Sequence, residues 1–130
     1  MNLISIPISY GELVDKITIL EIKLERISDR RAIENIQFEY YELKKIYENL
    51  PDIDRLYNDL KKINEEQWDV QDALREQFIE AEQRIDEYAE LAIKVGVTNV
   101  LRYEYKREIN LLLSSCIVEE KIYRKKDEKS

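Results

Sequence analysis

Between Ser9 and Ile27 the chain reads SYGELVDKITILEIKLERI, and its apolar positions fall on two sides of a helix rather than one. Leu13, Ile17, Leu20, Leu24 and Ile27 recur at alternating steps of four and three, which is one continuous stripe. At about 100° per residue, Ile19 and Ile22 fall on the far side, together with Asp15 and Arg26. A helix apolar on two sides is a central helix with neighbours on both. Its start is well marked: Ser9 is an N-cap, Glu12 three residues on completes a capping box, and Ile8 and Leu13 sit where a hydrophobic staple would clamp the first turn.

The same reading continues along the chain. Ser28 and Asp29 form a turn and cap a second helix whose seam is Ile33, Ile36, Tyr40, Leu43, Tyr47 and Leu50, so the first two helices form an antiparallel hairpin. Pro51 ends it. Asp52 can cap a third helix with the seam Ile53, Leu56, Leu60, Ile63, Gln67, Val70 and Leu74. That seam slips by one residue and resumes as Phe78, Ala81, Ile85, Tyr88, Ala92 and Val95, which predicts either a bend near Arg75 to Phe78 or a long helix that changes its buried face there. Gly96 reads as its stop, and Thr98 or Asn99 as the cap of a fourth helix that turns Leu101, Tyr105, Ile109, Leu112 and Leu113 to the core. The terminal pieces, Asn2 to Ser9 and Ile117 to Tyr123, alternate or carry β-branched residues; they either pair as short strands or lie as extended arms over the bundle. Residues 1–123 are thus one all-α domain, and 124–130 read as a disordered charged tail.

Composition narrows the function. The chain has 130 residues, enough for one domain with a genuine core, and only two glycines and two prolines, in keeping with a nearly all-helical fold. Against 21 basic residues stand 28 acidic ones, a net charge of −7, which argues against a nucleic-acid partner. Cys116 is the only cysteine, so neither an intramolecular disulfide nor a thiolate zinc site can form; with no signal peptide or membrane-length apolar run, a cytoplasmic location is expected. The lack of histidine removes imidazole bases and histidine-ligated metals, and glycines at positions 11 and 96 alone cannot write a Walker loop or a dinucleotide fingerprint. A helical magnesium enzyme built on paired carboxylates is the remaining catalytic alternative. Glu39/Glu42 and Asp69/Asp72 have the local spacing for it, but a hairpin closed around Pro51 sets them one or two turns out of register, and solvated surface acids are the simpler reading.

More informative are polar residues set into or beside the apolar seams, because an unpaired charge there costs several kcal/mol and calls for a partner or a ligand. Asp15 lies between Ile19 and Ile22, Glu21 beside the main stripe of the first helix, Gln67 in the third-helix seam and Glu108 among Leu101, Tyr105 and Leu112. A second stripe on the third helix, Tyr57, Asn64, Trp68, Gln71 and Arg75, offers an aromatic platform with amide and guanidinium groups, although Trp68 also suits core or dimer-interface packing. Lys16, Lys23, Lys106 and Arg107 are the cations that would balance the acids or hold an anion. Gly11, in the first helical turn, permits close backbone approach and leaves N–H groups near Ser9 as a candidate anion seat.

Three segments carry a resemblance to a known family: PISYGELVDKITILEIKLERI at Pro7 to Ile27, LKKINEEQWDVQDALRE at Leu60 to Glu76, and TNVLRYEYKREINLLLSSCIVEEKIY at Thr98 to Tyr123. In these the chain resembles a domain-of-unknown-function family of small helical bacterial proteins, often encoded among surface-polysaccharide and lipopolysaccharide biosynthesis genes and also found in phage-like settings. The family's recurring polar positions fall here on Gly11, Glu12, Asp15, Lys16, Thr18, Glu21 and Lys23, on Asn64, Trp68 and Asp72, on Lys106, Arg107 and Asn110, and on Glu119, Glu120, Lys121 and Tyr123. Where the family usually has leucine before the tryptophan this chain has Gln67, and Gln71 and Asp72 replace a more acidic pair. The resemblance implies a setting in cell-surface carbohydrate assembly and no particular reaction.

The expectation is therefore a non-catalytic binding or accessory protein in which Gly11, Asp15, Lys16, Asn64, Trp68, Lys106 and Arg107 hold an anionic ligand such as a nucleotide or nucleotide sugar, with no cofactor identified. It would act in polysaccharide assembly or, in a phage setting, sequester a small anionic signal. One alternative is a structural adaptor whose partner is a protein such as a glycosyltransferase; another is the carboxylate–magnesium nucleotide hydrolase. A homodimer is expected, since one hairpin cannot cover two apolar faces of the first helix and the aromatic stripe of the third.

Overall fold

The computed structural model describes residues 2–79 and 85–122, and it is an all-α bundle of four helices: α1 (Tyr10–Arg26), α2 (Arg30–Tyr47), α3 (Asp54–Ile79) and α4 (Ile85–Leu112). Ser9 Oγ accepts the Glu12 amide at 3.0 Å and Asp29 accepts the Ala32 amide at 2.9 Å, so both expected caps are made. The Asp52 carboxylate likewise accepts the Asp54 amide, at 3.0 Å, at the start of α3.

α1 is the central helix, in contact with each of the other three. Its main stripe supplies Leu13, Val14 and Ile17 to a core completed by Ile53, Leu56, Tyr57, Leu60 and Ile63 on and before α3 and by Ile109 on α4. α2 lies outside this core: it has no fully buried residue, and Tyr40, Leu43 and Tyr47 cover the core from one side. The far side of α1 is sealed as well, with Asp15, Thr18 and Ile22 buried within a single chain. The cover that the sequence reading sought in a second chain is provided for this face by α3 and α4.

Two boundaries depart from expectation. The expected long third helix is two helices: α3 ends at Ile79, just beyond the seam slip, and helix resumes at Ile85, while Ala81 of the expected continuation lies outside the described residues. α4 then runs unbroken through Gly96 and Thr98. A mid-helix glycine costs about 1 kcal/mol relative to alanine, too little to end a helix whose following turns, from Thr98 on, are packed. Thr98 is buried in α4 and returns its hydroxyl to the Val95 carbonyl at 3.1 Å, which lets a residue expected as a cap sit inside the helix.

α3 and α4 are antiparallel, as contacts from Gln67 to Asn99 and from Arg55 to Glu108 run in opposite chain order. Beyond Asp69 none of the residues Val70–Glu76 or Ile85–Val97 is fully buried, so the far half of this pair projects past α1. The terminal segments form no strand among the described residues; the one after α4 lies back over the bundle as an arm, whereas residues 2–7 are exposed. Strand pairing loses because Leu3, Ile4 and Ile6 are exposed and bring no apolar face to a partner, while the segment after α4 turns back onto α4 instead. Tyr123 and the tail 124–130 lie outside the described residues.

Candidate functional site

The second face of α1 meets α3 and α4 through polar groups. Asp15, 1% exposed, accepts two hydrogen bonds from the Arg102 guanidinium, from Nε at 2.8 Å and from Nη2 at 2.5 Å. This is the bidentate fork that gives an arginine–carboxylate pair its strength and orientation. Asn64 Nδ2 donates to the same carboxylate at 3.0 Å and to Thr18 Oγ1 at 2.9 Å, while Thr18 donates to the Asp15 carbonyl at 2.8 Å. Arg102 also reaches Gln67 Oε1 at 3.4 Å, and Gln67 in turn donates to Asn99. Hydrogen bonding to Asp15 outweighs the desolvation of Arg102 and keeps its guanidinium protonated beyond the ordinary range.

One turn further along α4, Lys106 is buried and placed between two carboxylates, Glu12 at 3.0 Å and Glu119 at 2.8 Å. Burial works to lower its pKa, but hydrogen bonds to Glu119 and Glu12 more than offset it and the net shift is upward. Glu119 moves the opposite way: its hydrogen bond to Lys106 holds its carboxyl below the usual range. Between these groups opens a cleft of about 140 Å³ lined by Glu12, Asn99, Arg102, Tyr103, Lys106 and Lys121. Three cations line the opening, each with a carboxylate partner: Arg102 with Asp15, Lys106 with Glu12 and Glu119, and Lys121 with Glu119 at 3.5 Å. An ammonium has three donors, and Lys106 directs two at Glu12 and Glu119, leaving one for an occupant. At that volume, below the roughly 300 Å³ of a drug-sized pocket, the cleft suits a phosphate or carboxylate group rather than a whole nucleotide.

Of the seven expected site residues, Asp15, Asn64 and Lys106 belong to this cluster. Gly11 lies next to it in a structural role: a β-carbon there would run into the Lys106 carbonyl oxygen, so glycine sets how closely α1 approaches α4. Its anion seat is closed, because the Gly11 amide donates to Asn110 Oδ1 at 2.6 Å, that of Tyr10 to Ser115 Oγ at 3.4 Å, and that of Glu12 to Ser9. Lys16 is exposed at the edge, 4.0 Å from Glu12. Arg107 does not line the cleft; it pairs with Glu120 at 2.9 Å and donates to the Tyr103 hydroxyl at 3.5 Å. Trp68 does not reach the cluster; it lies under the Arg26 guanidinium, 5.9 Å from the ring centre, and Tyr57 of the same stripe joins Tyr47 in the core. Tyr57, Asn64, Trp68 and Arg75 of the expected stripe each meet a different neighbour and do not form a platform.

The acids do not converge either. Glu21 meets Lys61 at 3.1 Å, Asp72 meets Arg75 at 2.7 Å, Asp69 meets Arg26, Glu42 meets Lys45 at 3.0 Å and Glu108, half exposed, meets Arg55 at 3.4 Å. Among the described residues no group of three histidine, cysteine, aspartate or glutamate side chains could hold a metal ion. Arg102, Asn99 and Tyr103 are the site residues that the sequence reading missed. Asn99, Arg102, Lys106 and Asn110 recur at steps of three and four with Tyr103 beside them, a polar stripe that becomes visible once α4 is known to run through residue 98.

No family model, curated protein or solved structure matches this chain. Among the described residues no helix is long and apolar enough to cross a membrane.

Proposed function

We propose that this chain is a non-catalytic binding protein for a small anionic ligand, whose phosphate or carboxylate group enters the cleft between α1, α4 and the C-terminal segment. The observation that carries this reading is the convergence of Arg102, Lys106 and Lys121 on one small opening in a protein of net charge −7. Stability alone does not call for such an arrangement, since a buried ion pair is often matched or exceeded by apolar residues of similar volume. Nucleotides and nucleotide sugars satisfy the requirement by placing a terminal phosphate in the cleft and their larger parts outside it. A cytoplasmic role in surface-polysaccharide assembly, or the sequestering of a phosphate-bearing signal, follows from the family resemblance. The test is thermal unfolding of the full chain with inorganic phosphate, nucleotides and nucleotide sugars, with and without magnesium. A ligand at one hundred times its dissociation constant adds about 2.7 kcal/mol. Arg102→Met and Lys106→Met are expected to lose that gain, and the absence of any shift in the wild-type protein would overturn the reading.

A second reading, a structural protein without a small ligand, draws on a different observation. Ile85, Ile93 and Val97 form an exposed row on the projecting half of α4. A second antiparallel copy centred on Glu90 would cover this row and bring Asp86 of each copy opposite Lys94 of the other, so a homodimer is its occupant. Sedimentation of the wild type against Ile93→Glu checks it: a dimer that the substitution dissociates is expected, and a monomeric wild type would contradict it.

A further inference from the structure

α4 is followed by a tight reversal. Ser114 adopts a positive φ of 53°, and the Ser115 amide donates to the Asn110 carbonyl at 2.8 Å, so the chain turns back along the helix it has just left. Returning, it places Glu119 on Lys106 and Glu120 on Arg107, and the Lys121 amide donates to the Tyr103 hydroxyl at 3.1 Å. Lys121 then lines the cleft with Arg102 and Lys106, its Nζ 3.5 Å from Glu119 Oε1 and 5.9 Å from the Tyr103 ring centre.

This return segment is held by polar tethers. Ile117 and Ile122 at its ends are 42% and 94% exposed, and of its ion pairs only Glu119–Lys106 reaches a buried group; Glu120–Arg107 and Lys121–Glu119 are of the weak, solvent-screened kind. A segment held this lightly, yet supplying one of the three cations of the cleft, has a contact to gain when the cleft fills. We propose that residues 117–122 are a ligand-coupled strap: a phosphate-sized anion bridges Lys121 to Arg102 and Lys106 and draws the strap closed over itself. The inference rests on the anion-binding reading above and adds that the cleft is incomplete without the strap. By linkage, whatever Lys121 adds to anion affinity, the bound anion returns as closure of the strap.

The experiment is hydrogen exchange of the full chain with and without inorganic phosphate at matched ionic strength, followed at the amides of residues 117–122. Cys116, the single cysteine and exposed, takes a spin label at the root of the strap for a second readout. Phosphate is expected to slow exchange of the Lys121 amide severalfold and to reduce label mobility. Lys121→Met is expected to bind phosphate severalfold more weakly and to show no protection of the strap, with its unliganded unfolding midpoint unchanged. If phosphate stabilises the wild type while strap exchange does not move, or if Lys121→Met binds as the wild type does, the strap is uncoupled and this inference falls while the anion site stands. If phosphate does not bind the wild type at all, both fall together.

Discussion

The two buried faces of α1 are built by opposite means. On one, Leu13, Ile17 and Leu20 pack against apolar residues and are 4% exposed or less; on the other, Asp15 and Thr18 are as deeply buried but are held by Arg102 and Asn64. The first face gains from every methylene removed from water and needs no particular partner. The second requires each donor and acceptor to be matched, and an unmatched group there is penalised heavily. The contrast teaches that depth of burial does not reveal purpose. The apolar face accounts for the fold, whereas the polar face surrounds an opening that packing does not need.

Substitutions can break this contrast or sharpen it. The largest loss is expected at Leu60, fully buried in the apolar core, where Leu60→Ala should cost about 2–5 kcal/mol by chemical denaturation. Asp15→Ala should cost about 3 kcal/mol, the low end for a broken buried pair, because the Arg102 side chain is 29% exposed and can recruit water. Gly11→Ala tests the closeness of α1 and α4: the added methyl meets a backbone carbonyl, which cannot swing aside, so a loss of about 1–3 kcal/mol in the same assay is expected.

Smaller effects belong to the rim. Glu119 has its carboxyl held below 4.5 by Lys106 in the folded protein, so it contributes stability that is fully present above that value and is lost as pH falls through the depressed one. Protection of the amides of residues 117–122, taken relative to their intrinsic exchange rates, should therefore fall below pH 4.5, and Glu119→Gln should remove that pH dependence. Glu108→Ala, which breaks only an exposed pair with Arg55, should change stability by less than about 0.5 kcal/mol.

Much of the apolar face was legible in the sequence. The stripe of α1, its Ser9 cap, the Asp29 cap and the α2 seam follow from local spacing and capping chemistry that tertiary contacts did not override. The break between α3 and α4 was half legible: the slip in the seam marked the place, but Gly96 drew the helix boundary too late, since a glycine signals a stop only where no packed turn follows it. That misplacement gave Asn99 to a helix cap, and the stripe it shares with Arg102 and Lys106 went unmarked. Asp15 was marked by its position among isoleucines, yet its partner lies 87 residues away and no local pattern joins the two. Trp68 misled for the opposite reason: aromatic and amide groups at helical spacing look like a platform, but which neighbours they meet is decided by the packing of other helices.

The most direct test of the account is the double variant Asp15→Leu/Arg102→Met, which replaces the buried pair by apolar side chains and leaves Asn64 its bond to Thr18. Its unfolding is to be followed in urea with and without phosphate. The account predicts stability within about 1 kcal/mol of the wild type and no gain from phosphate, because the pair serves the cleft and not the fold. A double variant as unstable as Asp15→Ala, or one that phosphate stabilises as it does the wild type, would contradict it.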